Sequence, residues 1–120
     1  MPHTVQYATT SDGVSIAFWA MGDGIPLVIP PILPTSHLEM EWQIVSRRAT
    51  YESLARDTRV VRYDCRGMGM SQRDAIDFSM EAAQRDLEAV IDRLSRNRSA
   101  TTRRAASPRC RCGCHTWKRR

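Results

Sequence analysis

Carboxylates stop at Asp92 and large aliphatic side chains at Leu94. From Ser95 to Arg120 the 120-residue sequence has no Asp or Glu and no Val, Ile, Leu, Met, Phe or Tyr; Trp117 is its one large apolar residue. Such a segment cannot bury enough surface to offset the entropy of ordering it, which predicts a disordered tail over 95–120. The tail holds nine Lys/Arg, a charge of +9, whereas residues 1–94 carry nine Arg against thirteen carboxylates, a charge of −4. The basicity of the whole chain, +5, therefore belongs to the tail. A nucleic-acid-binding domain would spread its basic residues over a folded face, so no specific nucleic-acid partner is expected. Arg, Ala, Ser, Thr, Pro, Cys and Gly dominate the segment, the composition of GC-rich coding DNA read out of frame. That account predicts a truncated 1–94 domain followed by an out-of-frame tail.

Long hydrophobic runs are also missing. The longest, Ile25 to Leu33, is broken by Pro26, Pro30 and Pro31 and is too short to span a bilayer. Met1 to Thr10 is polar, with no basic start leading into an apolar stretch, and does not resemble a signal peptide. A cytoplasmic chain with no membrane partner is the expectation, and its four cysteines are expected as thiols. No G-x-S-x-G occurs in the 120 residues.

What is present alternates between strand and helix signals. Thr4 to Thr9 and Val14 to Ala20 are rich in β-branched and aromatic residues, and Ser11-Asp12-Gly13 between them supplies turn chemistry, so the pair reads as a hairpin. Pro26 to Pro30 is a continuously apolar strand of the kind buried on both faces. Pro31 to Trp42 reads as irregular, Ser46 to Asp57 as a helix, and Arg59 to Tyr63 as a strand. Met80, Ala83, Leu87, Val90, Ile91 and Leu94 recur at three- and four-residue steps behind a capping Ser79. The order β-β-β-α-β-α implies an α/β sheet with a crossover connection.

Residues 1–94 resemble the opening of the α/β-hydrolase fold family. Thr10 to Ala17 looks like that family's first hairpin, Pro26-Leu27-Val28-Ile29-Pro30-Pro31 like its third strand and the start of its oxyanion loop, and Asp64-Cys65-Arg66-Gly67-Met68-Gly69-Met70-Ser71 like the D-x-R-G-x-G-x-S loop after its fourth strand. Ser36-His37-Leu38-Glu39 with Trp42 is similar to a subgroup found beside cyclase or regulator domains. The resemblance implies a partial hydrolase sheet and, for the parent family, hydrolysis of an ester, amide or related bond of a small-molecule substrate by a serine nucleophile. It places an oxyanion donor on the N–H of Ile32, the second donor being absent because the elbow is absent. Pro30-Pro31 stands where many members have His-Gly. It also places the third strand between the fourth and a fifth that is not encoded, leaving an uncharged edge, so self-association or aggregation is expected.

Each residue with chemical potential has a plainer role. Ser71 lacks the flanking glycine and the strand-to-helix setting of a nucleophile, and reads as a capping or loop hydrogen-bonding residue. Asp64 and Arg66 read as a pair fixing the loop, with Gly67 and Gly69 allowing its backbone angles. Cys65 reads as a semi-buried thiol, with no base placed beside it. His37 beside Glu39 suggests general-base chemistry, or with His3 a metal site, but no further ligand is spaced to complete one, and His37 is better suited to ordering the loop over the would-be active site. Cys110, Cys112, Cys114 and His115 are crowded into six residues, unlike the paired spacing of zinc sites. No catalytic residue, metal or cofactor is therefore assigned, and the chain reads as an inactive homologue of a serine hydrolase. The alternative is a non-enzymatic interaction protein whose basic tail binds nucleic acid or an acidic partner.

Overall fold

The computed structural model describes residues 4–31 and 36–105, with side chains through 98. Its elements in chain order are β1 (Gln6–Thr9), β2 (Ser15–Met21), β3 (Ile25–Ile29), α1 (Leu38–Gln43), α2 (Val45–Leu54), β4 (Thr58–Tyr63) and α3 (Met80–Ala105). The strands form one sheet in the order β1-β2-β4-β3. β1 pairs antiparallel with β2, β2 antiparallel with β4, and β3 parallel with β4. The expected α/β sheet is therefore present, with the parallel β3–β4 pair joined through α1 and α2.

Alternation along the two inner strands builds a core on each face. Ile16 and Phe18 of β2, with Val61 and Tyr63 of β4, pack against Ala89, Val90 and Leu94 of α3. Ala17, Trp19 and Val60 face the other way, against Leu38, Trp42 and Tyr51. Trp19 meets Trp42 edge-on at 5.9 Å between ring centroids and Tyr51 at 5.2 Å. Full burial of a side chain such as Phe18 contributes about 1.5–3 kcal/mol. Among the described residues, no helix is long and apolar enough to cross a membrane.

Four expectations are corrected. Residues 38–43 form α1 rather than an irregular stretch, because the prolines end at Pro34 and the His37 ring caps the turn, its Nδ1 accepting from the Met40 N–H at 3.3 Å. The final helix does not stop at the Leu94–Ser95 composition break but continues to Ala105. Lack of apolar residues limits packing, not helicity: the segment retains good helix formers, and arginines near a helix C-terminus suit its dipole. Residues 106–120, including Cys110, Cys112, Cys114, His115 and Trp117, lie outside the described residues.

The buried face of α3 is also turned from the expected stripe. Ala82, Asp86, Ala89, Val90 and Leu94 are inside, while Met80 is 83% and Ile91 44% exposed. Asp86 is drawn in by a buried arginine, described below. Finally, β3 is not covered on both faces: Ile25 is 80% exposed and Leu27 37%, with Val28 and Ile29 half-buried. It is the edge of the sheet, and α3 lies over β1 and β2 instead.

Candidate functional site

Strand β4 ends at Tyr63, and the next eight residues, Asp64 to Ser71, place the D-x-R-G-x-G-x-S pattern at one end of the sheet. Asp64 is fully buried. Its Oδ1 accepts from Ser36 Oγ at 2.5 Å, and its Oδ2 from the N–H groups of Leu38 and Met70, both at 3.0 Å. One carboxylate thus ties the start of α1 to the loop after β4.

Asp64 and Arg66 do not pair with each other; each fixes the loop to a different neighbour. Arg66 is 3% exposed and turns toward α3. Its backbone N–H donates to Asp86 Oδ2 at 3.1 Å and its Nε to Oδ1 at 2.9 Å. The outer nitrogens grip Asp12 in the β1–β2 turn, Nη1 to Oδ2 at 2.7 Å and Nη2 to Oδ1 at 3.1 Å. Those hydrogen bonds hold the Asp12 carboxyl well below the usual carboxylate range and raise Arg66 further above its own.

Ser71 is 4% exposed, and both hydrogen-bonding roles of its hydroxyl are filled. Oγ donates to the Asp64 carbonyl at 2.6 Å and accepts from the Ala17 N–H at 2.8 Å. Gln72 continues the splice: its N–H donates to the Ser15 carbonyl at 2.9 Å, and its Oε1 accepts from the Ser15 N–H at 3.0 Å. The loop is stitched to β2 as though it were a further strand.

Gly69 has φ +51°, and a Cβ there would collide with the Asp64 carboxylate and come within 2.9 Å of the Ser36 carbonyl. Gly67, at φ +76°, lies under the Phe78 ring. The thiol of Cys65 is half-buried, 3.5 Å from Met68 Sδ, and burial followed by the charge of Asp86 pushes it up, away from thiolate reactivity. Cys65, Met68, Phe78 and Ala83 border an apolar hollow of about 280 Å³ above the Arg66–Asp86 pair.

His37 is half-exposed at the start of α1 and Glu39 is exposed. Among the described residues, no three His, Cys, Asp or Glu side chains come together as a metal site. Ile32, the candidate oxyanion donor, and His3 lie outside the described residues.

A second buried ionic cluster was not anticipated. Arg62, 1% exposed in β4, bonds Glu41 Oε1 through Nη2 at 2.5 Å, Tyr51 Oη through Nε at 3.2 Å, and the Tyr63 and Ile29 carbonyls through Nη1 at 3.0 and 3.4 Å. Tyr51 Oη donates to Glu41 Oε2 at 3.0 Å. Although burial alone would lower it, the hydrogen bonds to Glu41 and Tyr51 leave the Arg62 guanidinium raised. The usable signal was an arginine inside an apolar strand, which demands a carboxylate partner. Beside this cluster Ser36, His37, Met40, Glu41, Ile44 and Arg47 surround a hollow of about 350 Å³.

Neither a family model nor a curated protein matches the sequence. Solved structures do. The chain is similar to an α/β hydrolase from Sphaerobacter thermophilus, at 34% identity and a TM-score of 0.55 over 72% of this chain and 31% of that one. It is similar to a hydrolase from Pseudomonas aeruginosa, at 29% identity and a TM-score of 0.62 over 77% of this chain and 33% of that one. A thermophilic esterase from Thermogutta terrifontis gives 28% identity and a TM-score of 0.62, over 77% and 32%. The chain spans about a third of the length of each. Its four-stranded sheet and flanking helices are part of the α/β-hydrolase fold.

Proposed function

We propose that these 120 residues supply hydrolase scaffold rather than hydrolase chemistry. The observation that carries this reading is the occupancy of Ser71. Its hydroxyl is buried between the Asp64 carbonyl and the Ala17 N–H, so it has neither an activating base nor access to a substrate. Cys65 is held toward the neutral thiol, and the sequence contains no G-x-S-x-G elbow. The polar side chains that form the site instead brace the hairpin, the loop after β4 and α3 against one another.

The parent reaction on this reading is hydrolysis of an ester, amide or related bond in a small molecule. Similar structures include an epoxide hydrolase, an esterase and a haloalkane dehalogenase, so no single substrate class carries over. Self-association through the open edge of β3 belongs to the same reading, since Ile25 and Leu27 stand exposed there without a charge to protect the edge. Hydrolysis of p-nitrophenyl acetate by the purified chain tests it. The expected rate matches that of the denatured chain; turnover that Ser71→Ala or Cys65→Ala abolishes would overturn the reading.

A further inference from the structure

Helix α3 is polarised in charge. Glu81, Asp86, Glu88 and Asp92 lie in its first half with Arg85 as their one cation; from Arg93 onward there is no acid, and Arg96, Arg98, Arg103 and Arg104 follow in the same helix. Composition alone gave these arginines no scaffold. The helix supplies one, and carries the first of them past the edge strand β1.

There Arg93 and Arg96, exposed and nearly one turn apart, border a hollow of about 150 Å³ together with Tyr7, Thr9 and Asp92. Tyr7 is 51% exposed. Asn97 Nδ2 donates to Gln6 Oε1 at 3.2 Å and pins the helix to β1 just beyond the recess. Two guanidiniums face one carboxylate, so the recess has a net positive charge beside an accessible aromatic ring.

We propose that this recess binds the phosphate backbone of nucleic acid without sequence preference, Arg93 and Arg96 taking phosphate oxygens and Tyr7 offering its ring to an unpaired base. Guanidinium forks match phosphate bidentately, and a tyrosine face stacks on any base. An acidic polypeptide would satisfy the charge but leave the Tyr7 ring without a stacking partner, which favours nucleic acid. The inference is independent of the scaffold reading, because none of these residues belongs to the loop after β4.

The test uses the full chain and a fluorescein-labelled oligodeoxynucleotide of about 20 nucleotides, single-stranded or duplex, followed by anisotropy as salt rises from about 50 to about 200 mM. Both forms bind, with affinity falling as salt rises. Arg93→Gln with Arg96→Gln, which keeps long stems and helix propensity, lowers affinity at least about tenfold and makes the log–log salt slope shallower by about two. Tyr7→Ala weakens the single strand and spares the duplex. Circular dichroism confirms that each variant keeps its helix. The proposal is overturned if the wild-type chain does not bind, if the double variant binds as the wild type does, or if polyglutamate binds as tightly with the same dependence on Arg93 and Arg96.

Discussion

Asp86 grips Arg66 at three points: the backbone N–H at 3.1 Å, Nε at 2.9 Å and Nη2 at 2.8 Å. Asp86 is fully buried and Arg66 nearly so, and the contact spans from the loop after β4 to the middle of α3. It explains why the helix buries a carboxylate and turns Met80 and Ile91 outward. Replacing Asp86 with Ala leaves the buried guanidinium with Asp12 as its one carboxylate partner beside the Asp77 carbonyl, and should cost about 3 kcal/mol in a urea melt. A loss under about 1 kcal/mol would show that the pair does not hold the helix in place.

The two loop glycines should respond differently to the same substitution. Gly69→Ala drives a methyl group into the buried Asp64 carboxylate as well as incurring the left-handed backbone penalty, and should destabilise the chain by about 3 kcal/mol or more. Gly67→Ala meets the Phe78 ring, which is 64% exposed and free to swing outward, so about 1–2 kcal/mol is expected. Equal losses in thermal or urea unfolding would contradict this packing.

Acid should loosen the hairpin through Asp12. Its folded pKa is depressed, first by the Arg66 hydrogen bond and then by Thr10, so its contribution to stability is complete above the unfolded value of about 4. It is withdrawn as pH falls below that value. Asp77 adds in the same direction, lowered by hydrogen bonding to Ser79. Urea midpoints measured from neutral to strongly acidic pH should drop chiefly below pH about 4, and Asp12→Asn should flatten that drop. An unchanged acid slope in the variant would remove Asp12 from the account.

Sequence patterning located the sheet well because β2 and β4 are short runs rich in β-branched and aromatic residues and a glycine turn separates the hairpin strands. It did not locate the ionic framework. Arg62 and Glu41 are 21 residues apart and Arg66 and Asp86 20 apart, and neither pair lies on one element where spacing would reveal it. The D-x-R-G-x-G-x-S pattern marked Asp64, Arg66 and Ser71 without naming their partners Ser36, Asp86 and Ala17, which only folding brings to them. The face of α3 was misread for the same cause, since an aspartate belongs inside only once its arginine is placed. Composition misjudged 95–105 by equating a lack of apolar residues with a lack of helix.

The open edge of β3 should make the chain associate. Size-exclusion chromatography with light scattering is expected to show mass rising with concentration, and Ile25→Lys to move it toward the monomer by placing a charge on the edge. Tyr7→Lys, on the opposite edge strand, should leave the mass distribution unchanged. A wild-type chain that stays monomeric at every concentration would contradict this use of the edge.

The claim that the chain is scaffold without a nucleophile is tested most directly by incubating it with a fluorophosphonate and measuring its intact mass. Such a reagent labels a serine only when a base and an oxyanion hole activate it. The account predicts an unchanged mass; stoichiometric labelling of Ser71, or of any other serine in the folded chain, would contradict it.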